Sequence, residues 1–377
     1  MRYLIFIVLI CFSVKTNAQI AVLDHADSLY ASGHYSKAIT SYKSLNDTNM
    51  VLSKIAKAYH ALGNYDGALS FYEQSIVVSP DNALLKYEYA KLLYKTKKYE
   101  AAAERFNDLV YLDYKNPNYH YELGLSLEAL KDSSAFSRFK SAYDLDHTHQ
   151  KAIYKIARFY VKKRKYVIAE RYINIGLESY KNNVALISLK AQNFYNQHDY
   201  KSAIIWFEKL INLGETSEFI HEKLSLSYAQ QFDYKNAIIQ RKLALKYDPH
   251  NAKTLYVLGT YYEKLKDFKT AETYIKKYLA LSDKPLDVEY SKLGTIYNRQ
   301  EKYKEAISCF KIAVKENPEN DSAAFFEVTS KDKYYKDFDA KIKLYKNFKI
   351  KYPKSFYILV ADRRLAQLKE EKFMNAD

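Results

Sequence analysis

The chain has 377 residues, 48% hydrophobic, 27% charged and 16% aromatic, with only 8 Gly and 6 Pro. That hydrophobic fraction excludes wholesale disorder, and so few Gly and Pro exclude an all-β fold, whose many turns require them. Two Cys exclude a disulfide framework and a cysteine-based zinc cluster, and 59 basic against 44 acidic residues give a net charge of +15.

The N-terminus reads as an export signal. Arg2 is followed by an apolar run from Tyr3 to Phe12 and then by the polar stretch Ser13 to Ala18. A charged, an apolar and a small-residue region in that order make a secretory signal peptide, and the segment resembles those of Gram-negative exported proteins. The run is far short of the roughly 20 residues that span a bilayer, and no later run suggests a membrane span. Cleavage after Ala18 makes residues 1–18 the signal peptide, and the mature chain is expected in the periplasm or at the outer envelope. Lipidation of Cys11 is disfavoured by the bulky Ile10 before it. Losing Arg2 and Lys15 leaves 57 basic and 44 acidic residues, a net +13. The remaining Cys309, close to Ile307, Phe310 and Ile312, reads as a small packed hydrophobe.

A repeat runs through the rest. Ala38, Ala68, Ala102, Ala135, Ala169, Ala203, Ala237, Ala271, Ala306 and Ala340 recur at steps of 30 to 35 residues, most of them 34. An aromatic stands three residues before most of them: Tyr35, Tyr65, Tyr99, Tyr166, Tyr200, Tyr234, Phe268 and Tyr303. Asp132 and Asp337 break this series. A small residue stands twelve before: Ala26, Ala56, Ala90, Ala157, Ala191, Ser225, Gly259 and Gly294. In the fourth unit Gly124 stands eleven before Ala135, so one residue is missing there. Each unit therefore predicts two amphipathic helices joined by a short polar turn, such as Gly33-His34 or Gly63-Asn64. The small residues let the pair approach closely. The turn aromatics, with Tyr72, Phe106, Phe139, Phe207 and Phe310, are expected to fill the gap to the next unit. Pro80, Pro117, Pro249, Pro285, Pro318 and Pro353 all fall at unit junctions, where a missing N–H costs nothing.

Segments such as AYHALGNYDGALSFYEQSIVVSPDN and LGTIYNRQEKYKEAISCFKIAVKENPEN resemble tetratricopeptide repeats, whose period is 34 residues. The resemblance implies an all-α, right-handed superhelical solenoid of stacked antiparallel helix pairs. Nine units match well, and a tenth, with Val328 in place of the small residue, is degenerate. The expected units lie near 19–48, 49–82, 83–116, 117–149, 150–183, 184–217, 218–251, 252–286, 287–320 and 321–354, followed by a C-terminal solvating helix and tail at 355–377. In that last segment Phe356, Ile358, Leu359, Ala361, Leu365 and Leu368 are expected to cover the final unit, with Arg363, Arg364, Lys369, Glu370 and Glu371 facing water.

No phosphate loop, dinucleotide-binding glycine pattern, nucleophile elbow or HExxH motif is present, and the expectation is a protein that is not an enzyme and needs no cofactor. His147 and His149 beside Asp144 and Asp146 read as a solvated junction, not a metal site. What the resemblance implies is binding: the first helix of each pair lines a concave groove that holds extended or helical peptides. Its groove positions map onto Lys57, His60, Tyr87, Lys91, Tyr94, Tyr121, Tyr154, Arg158, Gln192 and Tyr195, with Lys95 and Lys162 alongside. This predicts a tyrosine row flanked by cations, suited to an acidic protein or peptide segment in a cell-envelope scaffold. The paired positions Ser53/Lys57, Tyr87/Lys91 and Tyr154/Arg158 depart from the carboxylate clamp of chaperone-binding relatives. Nucleic acid is not expected, since the charge is spread without an Arg-rich tract and the signal directs export. The alternative reading is a binder of anionic glycan or lipid, such as peptidoglycan or lipopolysaccharide, through the basic surface.

Overall fold

A computed structural model describes residues 20–45, 48–282 and 286–375. The expected signal peptide, its cleavage at Ala18, Cys11 and Pro285 lie outside the described residues. Among those residues the regular structure is helical, with no strand, and no helix is long and apolar enough to cross a membrane. The chain divides into two compact units, residues 1–189 and 190–377.

The first unit contains α1 (20–31), α2 (Tyr35–Lys43), α3 (Leu52–Ala61), α4 (Tyr65–Val78), α5 (Ala83–Lys95), α6 (Tyr99–Leu112), α7 (Pro117–Ala129), α8 (Ala135–Leu145), α9 (Gln150–Lys162) and α10 (Tyr166–Ser179). The division falls within α11 (Val184–Asn196). The second unit continues with α12 (Tyr200–Asn212), α13 (Glu218–Gln230), α14 (Tyr234–Leu245), α15 (Ala252–Lys264), α16 (Phe268–Ala280), α17 (Asp287–Arg299), α18 (Tyr303–Glu316), α19 (Asp321–Tyr334), α20 (Phe338–Lys351) and α21 (Ile358–Met374). Successive helices pack on one another: α3 on α4, α4 on α5, α5 on α6 and α6 on α7 in the first unit; α15 to α21 likewise in the second.

The small residues set this pairing. Ala38, Ala56, Ala68, Ala90, Ala102, Ala157, Ala169, Ala203, Ala237, Ala271 and Ala306 are all fully buried. At Gly124, Gly259 and Gly294 a Cβ would lie 2.7 Å from Phe139, 2.6 Å from Ile275 and 2.8 Å from Phe310, closer than carbon atoms approach. These three rings and chains come from the second helix of the same pair, so each glycine admits its partner. Gly176 on α10 plays a similar part toward Leu186, which sequence spacing did not suggest.

The turn inside each of the first nine pairs has one geometry; the tenth, between α19 and α20, passes instead through Tyr335 at φ −82°. Gly33, Gly63, Lys97, Lys131, Arg164, His198, Phe232, Lys266 and Glu301 all have φ between 56° and 84°. The next residue's N–H reaches back to a carbonyl five residues earlier, as Lys98 to Leu93 at 2.9 Å and Asp267 to Tyr262 at 2.9 Å. This is a Schellman closure, which satisfies carbonyls left over at the end of the first helix. The turn aromatics then open the second helix, being the first residue of α2, α4, α6, α10, α12, α14, α16 and α18. Several pack back on their own pair instead of across to the next, with ring centroids 5.4 Å apart for Tyr30–Tyr35, 5.3 Å for Tyr94–Tyr99 and 5.8 Å for Tyr195–Tyr200. Tyr72, Phe106, Phe139, Phe207 and Phe310, expected to fill the gap to the next pair, are all buried; Phe139 and Phe310 pack on Gly124 and Gly294 of their own pair, and Phe310 also reaches Phe326 of the next at 5.9 Å. The residue missing from the fourth pair is absorbed by starting α8 late, at Ala135, with Asp132 Oδ1 accepting from Ser134 N at 2.8 Å.

Several first helices begin on side-chain caps, though α3 and α17 do not. Asn82, Asn183, Asn251 and Asn320 each accept a backbone N–H of the first turn. Pro117 sits at the start of α7, where its fixed φ suits the first helical position. His149 likewise caps α9, accepting from Ala152 N at 3.1 Å, and His147 packs on Tyr143. No group of three or more His, Cys, Asp or Glu that could hold a metal occurs among the described residues.

The C-terminal helix departs from expectation on one face. Ala361, Leu365 and Leu368 are buried against Phe325, Tyr345 and Phe348. Asp332, buried, accepts from Arg364 Nε at 2.8 Å and from the Tyr345 hydroxyl at 3.0 Å, tying α19, α20 and α21 together. Phe356 and Leu359, however, do not cover the final pair; they are 88% and 79% exposed. Helical periodicity puts Leu359 on the side of α21 opposite Ala361, Leu365 and Leu368.

Two expected outcomes follow for chemical denaturation. Phe232→Gly raises stability by about 0.5–1 kcal/mol, because a bulky residue at φ 60° is strained and its ring, 79% exposed, gives up little packing. Gly294→Ala lowers it by about 1–3 kcal/mol, because Phe310 is fully buried and has no room to withdraw. An unchanged midpoint for Gly294→Ala would mean that the pair tolerates wider separation.

Candidate functional site

The first helices of the first unit carry two clefts. One, of about 570 Å³, is bounded by Tyr30 of α1, Lys57 and His60 of α3, Tyr65 and Tyr72 of α4, and Glu88, Lys91 and Lys95 of α5. Helical spacing explains the assembly: Lys57 and His60 are three apart, Lys91 and Lys95 four apart, so each pair shares a face. Lys57 Nζ lies 3.2 Å from Glu88 Oε1. Lys95 Nζ lies 3.3 Å from His60 Nε2 and 4.7 Å from the Tyr65 ring centroid. Partial burial, then the Lys95 and Lys91 charges against an opposing pull from Glu88, hold the His60 imidazolium below its ordinary pKa. Lys91 and Lys95 are both exposed, so the cleft presents cations to solvent.

Beside it, Tyr87 and Tyr121 face Glu122. The Tyr87 hydroxyl donates to Glu122 Oε1 at 3.3 Å, and Lys91 Nζ stands 5.4 Å from the Tyr87 ring centroid. Burial, with the Glu122 carboxylate, pushes the Tyr87 hydroxyl up. Burial pushes the Glu122 carboxyl up as well, against the pull of Lys91 and Tyr87. Tyr121 is buried, packed on the rings of Phe139 at 5.8 Å and His149 at 5.2 Å, and burial pushes its hydroxyl up to about 12. The expected tyrosine row is therefore not an open surface: Tyr121 belongs to the packing between α7, α8 and the start of α9. Tyr87, Tyr94 and Tyr154 are half-buried.

The second cleft, of about 230 Å³, opens at the turn of the fourth pair. Phe136, Phe139 and Phe159 form its walls, and Lys131, Lys155, Arg158 and Lys162 its rim. Phe136 and Phe159 stack with centroids 4.1 Å apart. Lys155 is bonded to Glu128, whereas Arg158 and Lys162 are exposed and have no ion-pair partner among the described residues. Arg158 and Lys162 were legible from groove spacing. Lys131 and Phe136 were not; the one available signal was the missing residue before Ala135, which reshapes that turn.

Gln192 and Tyr195 lie on α11 in the second unit. The Tyr195 ring holds Lys223 Nζ at 4.3 Å, a cation–π contact absent from the sequence reading. Lys190 Nζ stands 4.2 Å from the Trp206 ring centroid in the same region.

Comparisons with known proteins agree with this architecture. Models of the tetratricopeptide repeat match residues 59–123, and 252–285 with 290–320. Superkiller protein 3 of Schizosaccharomyces pombe is 22% identical over 285 residues, covering 68% of this chain and 20% of that protein. A TPR repeat-containing protein of Methanocaldococcus jannaschii is 23% identical over 290 residues, covering 72% of this chain and 50% of that one. The chain thus spans half or less of the length of these curated relatives. Among solved structures, a tetratricopeptide repeat protein of Parabacteroides merdae aligns with a TM-score of 0.47 and 15% identity over 66% of this chain and 98% of its own. PilW, a type IV pilus biogenesis factor, aligns with a TM-score of 0.47 and 16% identity over 56% of this chain and 99% of its own. With helix pairs closed by the same turn in both units and the repeat matched in each, the chain carries tetratricopeptide repeats on an all-α scaffold of successive helix pairs.

Proposed function

We propose that the chain is a non-catalytic protein-binding scaffold whose first unit captures an acidic partner segment along its first helices. The observation that carries this reading is the pair of clefts, each with aromatic walls and a rim of cations that exceeds its carboxylates. Aromatic walls supply apolar area at small entropic cost, and the cations select and steer an anionic segment. Export through residues 1–18 would place this scaffold in a bacterial cell envelope, where it would hold a partner of an envelope assembly. Binding of an anionic glycan or lipid is the second reading, favoured by the net charge of +15.

The test is capture from solubilised cell envelope with the 377-residue chain as bait, beside Lys91→Glu/Lys95→Glu and Arg158→Glu/Lys162→Glu variants. Tyr121 is left intact, because its truncation would open a cavity. Each double reversal is expected to weaken capture of one protein partner at least about tenfold. Equal capture by all three would overturn the cleft assignment. Recovery of glycan or lipid alone, released by salt, would favour the second reading.

Acidity gives a second check. An anion at the first cleft would raise the depressed His60 pKa, so the complex binds more protons than the free chain. Affinity for the captured partner is therefore expected to rise as pH falls from about 7.5 to about 5.5, and to lose that slope in His60→Ala. A slope retained in His60→Ala would assign the proton elsewhere.

A further inference from the structure

A helix face that no other described helix covers is ordinarily polar. The outer face of α21 is not polar. Leu359, Val360, Phe373 and Met374 are 79%, 49%, 83% and 71% exposed. At 3.6 residues per turn they share one side with Arg363, Ala366 and Glu370, opposite the buried Ala361, Leu365 and Leu368. Arg363 and Glu370 are exposed and have no partner among the described residues.

This stripe is complementary to itself. Place a two-fold axis between Ala366 and Gln367, so that α21 runs antiparallel to another α21. Arg363 then faces Glu370 and Leu359 faces Met374, each pair occurring twice as a closed two-fold contact requires, with Val360 and Phe373 on the two flanks. Ala366 sits at the crossing, where a small side chain lets two helices approach. The like-end arrangement, with the helices parallel, would set Arg363 against Arg363 and Glu370 against Glu370.

We infer that the outer face of α21 pairs with α21 of a second copy of this chain, forming an antiparallel two-helix contact centred on Ala366. The charge pattern commits the face to a second copy: opposite charges sit at equal distances from its centre, flanked on both sides by apolar residues. One helix pair is at the small end of stable interfaces, so the dimer dissociates on dilution. The contact is independent of the clefts on the first unit, and loss of one would leave the other intact.

Sedimentation of the 377-residue chain from about 1 to about 100 µM tests this. The expected result is a concentration-dependent monomer–dimer equilibrium. Arg363→Glu and Glu370→Arg each weaken it at least about tenfold by opposing like charges, and the double variant Arg363→Glu/Glu370→Arg restores it. Circular dichroism establishes that all variants remain folded. A chain monomeric up to about 100 µM would overturn the proposal and leave the face to a different protein. A dimer indifferent to both single reversals, or one not restored by the double, would overturn it too.

Discussion

Close approach of two helices at a pair of small residues governs this molecule. Where the residue is Gly, as at Gly259 and Gly294, even one added carbon would collide with the partner helix. Where it is Ala, the methyl is fully buried. Such a contact fixes the separation of the two helices and, through the turn between them, the distance in sequence at which the next contact recurs. The period of about 34 residues is therefore a packing length: two helices of roughly 13 residues, one tight turn within the pair and one capped junction between pairs. Large buried rings complete the contact: Phe139 lies on Gly124 and Phe310 on Gly294.

The same constraint places the clefts. A helix pair pressed together at its small residues directs other positions of its first helix outward, and these are where Lys57, His60, Lys91, Lys95, Arg158 and Lys162 stand. The turn closing each pair presents its own side chain there, since a left-handed residue points away from the helix it ends. Four of the nine turn positions are Lys or Arg, among them Lys131 on the rim of the second cleft. Turn geometry thus adds positive charge near the ends of first helices, where the helix dipole also favours cations.

Much of this was legible because packing imposes periodicity. The alanine series, the glycines opposite Phe139, Ile275 and Phe310, and the junction prolines are residues whose type is dictated by local space or a missing donor. The turn was less legible. Glycine marks the left-handed residue in the first two pairs, but Lys, Arg, His, Phe or Glu stands there in the others, so composition does not announce it. The tyrosines were legible as repeated features but not as to their role. A tyrosine at a first-helix position looks the same in sequence whether its ring lines a cleft, as Tyr30 does, or is enclosed, as Tyr121 is.

The abundance of tyrosine has a structural cause that blurs this distinction. Tyr42 donates to Asp27 at 2.5 Å, Tyr89 to Glu73 at 2.5 Å, Tyr297 to Glu272 at 3.2 Å and Tyr345 to Asp332 at 3.0 Å, each from one helix to another. A tyrosine thus fills apolar space with its ring while its hydroxyl bonds a carboxylate, which at the enclosed Asp332 would be costly to bury alone. Three of these carboxylates serve cations at the same time: Asp27 pairs with Lys54, Glu272 with Lys276 and Lys302, and Asp332 with Lys341 and Arg364. The positive rim of the second cleft rests on cations that no such carboxylate reaches among the described residues, Arg158 and Lys162.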